Sequence, residues 1–353
     1  MNKSQLRGNV QTVLGLISPA ELGITLPHEH LVCDGTTWFV EPNEASERKL
    51  ARHPVSLEIL WWLRYHPFQN WDDLQLPDEK IMVDELAIFK AYGGKTVVEL
   101  TGRGICPDPM AVARISRATG LNVIIGTGYY VEKSYPADAN IPSKSDKEIA
   151  EEFVTDILSG FSNTDIRAGI IGELGCSYPL TDNERKVLRA GAIAQKATGA
   201  AINVHPGQHE TSAMECVRVL DKAGADLSRT IMSHTDRAVR NPDNRVALAK
   251  TGCCIEYDLF GREGYYPPRF RLLDVPNDAQ RINELKGLAD KGFQSQILIS
   301  HDNYTKSSLC HYGGWGYAHI LRDAVPVMKL KGLTKELINL WLIDNPKRLL
   351  TFV

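Results

Sequence analysis

Four of the ten histidines stand in or just after runs of apolar residues, where side-chain chemistry can be held in place. His28 and His30 lie two apart in "LPHEHL". On a strand that spacing points both imidazoles to one face and turns Glu29 the other way, toward a helix layer. His205 ends "INVH" and His234 ends "IMSH"; Glu173 lies inside "IIGELG", and Asp302 follows "ILISH". Any one of these alone reads as a satisfied core residue. Four imidazoles and two carboxylates together read as metal ligands, because buried charges need partners and metal ions supply them. Imidazole with carboxylate suits zinc, with Mn, Fe or Co as alternatives. Six ligands exceed the needs of one tetrahedral zinc, so the expected cofactor is a pair of divalent metal ions.

Positioning such a set requires many strand ends at one rim. Eight apolar runs read as strands: Ile24–Val32, Thr96–Thr101, Asn122–Thr127, Gly169–Leu174, Ala201–His205, Thr230–His234, Cys254–Tyr257 and Gln296–His301. "TVVELT", "NVIIGT" and "QILIS" lack alternation, as strands buried on both faces do. Helix-like segments separate them, ending at Gly120, Gly199, Gly224 and Gly252, each a plausible C-terminal cap. The later strands recur about every 30 residues, the length of a βα unit. Eight such units predict an α/β fold of the (β/α)8 TIM-barrel type, with catalytic groups at the C-terminal strand ends. A doubly wound sheet is the runner-up, although no G-x-G-x-x-G follows the first strand.

The chain of 353 residues reads as one barrel domain opened by a short β-hairpin over residues 1–20. A long insertion follows the first strand, spanning residues 36–80 and carrying Trp38, Trp61, Trp62 and Trp71. It either covers the barrel mouth as loop and helix or packs on the barrel side. Residues 260–276, rich in Pro and Arg, read as a loop near the active face.

A net charge of −3 with no basic run argues against nucleic acid and for a small-molecule substrate. The seven cysteines form no C-x-x-C pair, the usage of a reduced, cytoplasmic protein. No apolar run is long enough to suggest a membrane span.

"GNVQTVLGLISPAELGITLPHEHL", "IIGELGCS", "NVHPG", "SHTDR", "SHDN" and "NPKRLL" resemble the phosphotriesterase-related branch of the amidohydrolase superfamily over nearly the whole chain. The resemblance implies a binuclear centre. His28, His30 and Asp302 would bind the more buried metal, and His205 and His234 the more exposed one. Glu173 would bridge them, where phosphotriesterases proper carry a carboxylated lysine. It implies a hydroxide between the metals as nucleophile, with Asp302 moving its proton. Tyr130 matches a position lining the substrate pocket. Arg237 would sit near the metals, binding an anionic group or lying at the surface. Arg103 and Asp108 are expected to form a structural ion pair, and His301 to be structural. Barrels of this family are expected as homodimers.

The expected activity is metal-dependent hydrolysis of a lactone, carboxylic ester or amide. Arg103, Arg237, Arg269 and Arg271 motivate an anionic substrate. A phosphoesterase or phosphotriesterase and an N-acyl amino-acid amidohydrolase are the alternatives, and a non-catalytic binding protein is a remote one.

Overall fold

The computed structural model describes residues 1–76, 78–162, 164–265 and 274–353. A hairpin of β1 (Val10–Thr12) and β2 (Gly15–Ile17) opens the chain. Seven parallel strands follow: β3 (Ile24–Glu29), β4 (Gly94–Glu99), β5 (Asn122–Thr127), β6 (Ile170–Gly175), β7 (Ile202–His205), β8 (Thr230–Met232) and β9 (Cys254–Tyr257). A two-residue antiparallel pair, β10 (Gly264–Tyr265) and β11 (Asp274–Val275), interrupts the alternation before β12 (Ile297–Ile299). The eight parallel strands stand in the order β3-β4-β5-β6-β7-β8-β9-β12.

The two ends of this sheet meet. The Ser300 hydroxyl donates to the carbonyl of His28 at 2.7 Å, and the amide of Asp302 donates to the same carbonyl at 3.2 Å. Closure excludes the doubly wound sheet and establishes the (β/α)8 barrel. Inside it, Val98 of β4, Ile124 of β5, Ile170 of β6, Ile231 of β8, Cys254 of β9 and Leu298 of β12 form one apolar cluster, closed below by Val10 and Leu350. The site residues therefore stand on a packed floor rather than over a pore.

The helices follow their sequence signals. Asp108 accepts from the amide of Ala111 and starts the helix Pro109–Thr119, which Gly120 ends in left-handed conformation. Thr181 and Glu184 form a reciprocal capping box on the helix Asp182–Thr198, which Gly199 ends. Asp108 is thus spent as a cap, and the expected Arg103–Asp108 pair does not form. Arg103 instead donates to Asp156 at 2.6 Å and to Thr127 at 3.1 Å.

Four strands are shorter than expected at their C-terminal ends, stopping at Glu29, Glu99, Met232 and Ile299. For the last two the cause is local: His234 (φ 53°) and Asp302 (φ 52°) adopt left-handed backbone, which leaves the strand path. Pairing is also irregular between Leu26 and Glu29 and between Ile171 and Leu174, the stretches that contain His28 and Glu173. Gly172 permits the second irregularity. A Cβ there would lie 2.4 Å from the carbonyl oxygen of Asn203 on β7.

The insertion contributes to two places. Trp38 and Phe68 line the cleft above the barrel, whereas Trp62 is buried in a side cluster with Val55, Ile59 and Leu63 and stacks on His66. All seven cysteines are free thiols. Among the described residues, no helix is long and apolar enough to cross a membrane. Arg269 and Arg271 lie outside the described residues.

Candidate metal centre

The six donor residues proposed from the sequence come together at one end of the barrel. Each is buried, at no more than 7% exposure. One group consists of His28, His30 and Asp302, whose ligand atoms lie within 4.8 Å of one another. The Asp302 Oδ1 is 3.2 Å from His30 Nε2 and 3.7 Å from His28 Nε2. A second consists of Glu173, His205 and His234. Glu173 Oε1 lies 2.8 Å from His205 Nδ1 and 2.9 Å from His234 Nε2, and those two nitrogens are 2.8 Å apart. Glu173 Oε1 also lies 3.6 Å from His28 Nε2, so one carboxylate faces both groups.

The far sides of the rings are held. His28 donates from Nδ1 to Glu256 Oε2 at 3.0 Å, with Asp258 Oδ2 at 3.3 Å. His234 donates from Nδ1 to Asp258 Oδ1 at 2.8 Å, and its amide donates to the same carboxylate. His30 Nδ1 is 2.8 Å from the Thr101 hydroxyl. Such contacts leave each Nε2 aimed at the cluster, the orientation a metal-ligating imidazole requires. His28 Nε2 is the telling atom: it is buried and has no hydrogen-bond partner among the described residues. A buried polar atom without a partner is costly, and a cation among these donors removes that cost. The donor set fits divalent metal binding.

Charge within the cluster is uneven. Burial pushes the His205 imidazole down to about 4, which keeps it neutral. Burial works the same way on His234, but the Asp258 carboxylate overrides it and lifts that imidazole to about 9. Burial disfavours the Glu173 anion, yet the surrounding imidazoles hold it well below the usual carboxylate range.

Glu256 and Asp258 escaped the sequence reading. Their signal was available: two acids flanking Tyr257 in the apolar run "CCIEYD" must point to one face of a strand. Glu29 has a different task. It accepts from the Ser300 hydroxyl, the His301 amide and His301 Nδ1, while His301 Nε2 accepts from the amide of Ile320. His301 is accordingly structural, outside the donor set.

Above the donors lies a narrow cleft lined by His30, Glu173, His205 and Asp302 together with Cys33, Trp38, Phe68, Ile105, Tyr130, Gln208, Arg237, Leu259 and Tyr304. Tyr130 accepts from Trp38 Nε1 at 3.2 Å and meets the His205 ring edge-on, with centroids 5.0 Å apart. Arg237 is not at the surface: it is 5% exposed, and its Nη2 lies 3.5 Å from His205 Nε2. Its Nη1 is buried without a partner. The neighbouring carboxylate, Asp236, is taken by Arg281 at 2.7 Å.

Comparison with known proteins identifies the family. Residues 8–350 match the family model described as the Phosphotriesterase family. The chain is 42% identical over 348 residues to a phosphotriesterase-related protein of Nematostella vectensis, covering 98% of this chain and 99% of the relative. It is 40% identical over 350 residues to the N-acetyltaurine hydrolase of Bos taurus, covering 99% of each. A crystal structure of a resiniferatoxin-binding protein from Rhodobacter sphaeroides superposes with a TM-score of 0.94 at 36% identity, over 98% of this chain and 96% of that one. The chain belongs to the phosphotriesterase family, and it is a metal-dependent hydrolase.

Proposed function

We propose that this protein hydrolyses the amide bond of small N-acyl compounds whose amine half carries an acidic group. The observation that carries the reading is Arg237, a buried guanidinium that among the described residues has no carboxylate partner, in the cleft that Glu173, His205 and Asp302 also line. A buried cation needs an anion, and a substrate carboxylate or sulfonate meets that need by a bidentate contact. The similarity to N-acetyltaurine hydrolases supports the same class, an amide with a sulfonate on its amine side.

His28, His30 and Asp302 would hold one divalent ion, and His205 and His234 a second, with Glu173 shared between them. Zinc is the expected metal, with Mn, Fe or Co as alternatives. Two ions so placed would acidify a water molecule and polarise the acyl carbonyl. The protein's own groups do the rest. Arg237 anchors the acid, and Tyr130, Trp38 and Phe68 exclude solvent around the acyl group. Asp302 takes a proton from the attacking water and delivers it to the amine nitrogen. The acyl carbon gains the water oxygen as its bond to nitrogen breaks, releasing a carboxylic acid and a free amine.

The test is a panel of N-acetyltaurine, N-acetyl-β-alanine, a neutral N-acetyl amine, a lactone and a phosphotriester, assayed with the metal-loaded protein. Highest kcat/KM on the acidic amides supports the reading. Efficient turnover of the lactone or phosphotriester with inert amides refutes it.

We place the protein in the reducing cytoplasm, consistent with its free thiols, and expect a homodimer. Leu57 and Trp61, four residues apart on the insertion, are 74% and 65% exposed and are suited to burial against a second copy. A monomeric mass by light scattering would refute the dimer.

A further inference from the structure

The cleft holds a second polar atom that no structural bond uses. The Oε1 of Gln208 is buried and has no hydrogen-bond partner among the described residues, and Gln208 lines the same cleft as His205 and Arg237. Gln208 lies three residues beyond His205, in the connection after β7, and Arg237 follows β8, the neighbouring strand. Its loop is pinned. A Cβ at Gly207 would lie 2.6 Å from the backbone of Ser177, so the connection after β7 presses directly on the one after β6. The amide of Cys176 also donates to the carbonyl of His205 at 2.8 Å, tying the two connections together. A side chain on so constrained a backbone points where the fold puts it.

Resting on the amide-hydrolase reading above, we infer that Gln208 is the residue that selects amides over esters. If Arg237 holds the acid of the amine half, that half lies along the β7–β8 side of the cleft, which Gln208 shares. An amide presents there one N–H donor, and Gln208 Oε1 is the acceptor waiting for it. An ester or lactone puts an oxygen at the same place. That oxygen cannot donate, so the buried carbonyl stays unmatched and two acceptors face each other. Sites built to receive a hydrogen bond discriminate strongly against analogues that lack it.

The experiment uses a matched pair, N-acetyltaurine and 2-acetoxyethanesulfonate, which differ only by NH against O. Both are assayed with the wild-type protein and with Gln208→Met, which keeps the length and removes the acceptor. The expected result is a fall of about tenfold or more in the amide-to-ester ratio of kcat/KM, with amide turnover falling, ester turnover equal to or above that of the wild type, and metal content retained. The second variant, Gln208→Ala, should shift the ratio in the same direction. An unchanged ratio, or equal loss on both substrates, would overturn the assignment of Gln208 while leaving the amide-hydrolase reading intact. A wild-type protein inert on N-acetyltaurine yet active on lactones would overturn both.

Discussion

The amide of Asp302 donates to the carbonyl oxygen of His28 across 3.2 Å. This bond joins the last barrel strand to the first, and its two residues also belong to the candidate donor set, with Asp302 Oδ1 3.7 Å from His28 Nε2. The seam that closes the fold is the seam along which the site is assembled. Ser300 reinforces it, receiving from the amide of His28 at 3.2 Å and donating to its carbonyl at 2.7 Å. Correct closure and correct ligand placement are therefore one structural event.

Metal analysis tests the centre itself. The purified protein should carry about two divalent ions per chain, and Glu173→Ala should lose at least one of them, as read by plasma mass spectrometry. Retention of both ions in the variant would remove Glu173 from the shared position.

Asp258→Asn addresses the support behind the ligands. Asp258 accepts from His234 Nδ1 at 2.8 Å and approaches His28 Nδ1 at 3.3 Å, one ring from each donor group. Loss of such an outer partner weakens metal affinity by about 10- to 100-fold. Chelator competition measures it, and unchanged affinity would mean that the rings are oriented without Asp258.

Asp302→Asn separates proton transfer from metal binding. If the metal content stays whole, kcat on the acidic amide should fall by about 10²- to 10⁴-fold, the range of general acid–base catalysis. A fully loaded variant with near-normal turnover would exclude Asp302 from that role.

Arg237→Met should raise KM for acidic amides and leave neutral N-acetyl amines nearly unaffected. Removing one partner of a buried charge pair costs about 2 kcal/mol or more, about 30-fold in kcat/KM. Equal effects on charged and neutral substrates would show that Arg237 shapes the cleft without reading charge.

Stability should vary with pH through His319, which lies 2.6 Å from Asp278 and 2.8 Å from Asp323. Burial lowers its affinity for a proton, but the two carboxylates outweigh burial and raise it above the ordinary histidine value. A raised folded pKa stabilises fully below the unfolded value of about 6.5 and ceases to do so as pH rises through the folded one. The stability difference between wild type and His319→Gln should therefore be largest near pH 5–6 and shrink toward pH 9 in denaturant titrations. A difference that grows with pH would reverse the sign of the argument.

The amino-acid sequence by itself determined the barrel and picked out the six side chains that it gathers at one rim. Both are local signals: an imidazole or carboxylate at the end of an apolar run, a strand every βα unit, Thr181 with Glu184 and Gly199 bounding a helix. Tertiary structure decided the rest, because those relationships are made between residues far apart in the chain. Arg103 finds Asp156 while the nearby Asp108 caps a helix. Asp236 is claimed by Arg281, forty-five positions on, which leaves the adjacent Arg237 buried in the cleft with no carboxylate among the described residues. Glu256 and Asp258 reach His28 and His234 only because β9 lies beside β8 in a closed barrel. Sequence spacing reports which face of a strand a side chain takes, whereas only closure of the barrel determines what stands opposite it.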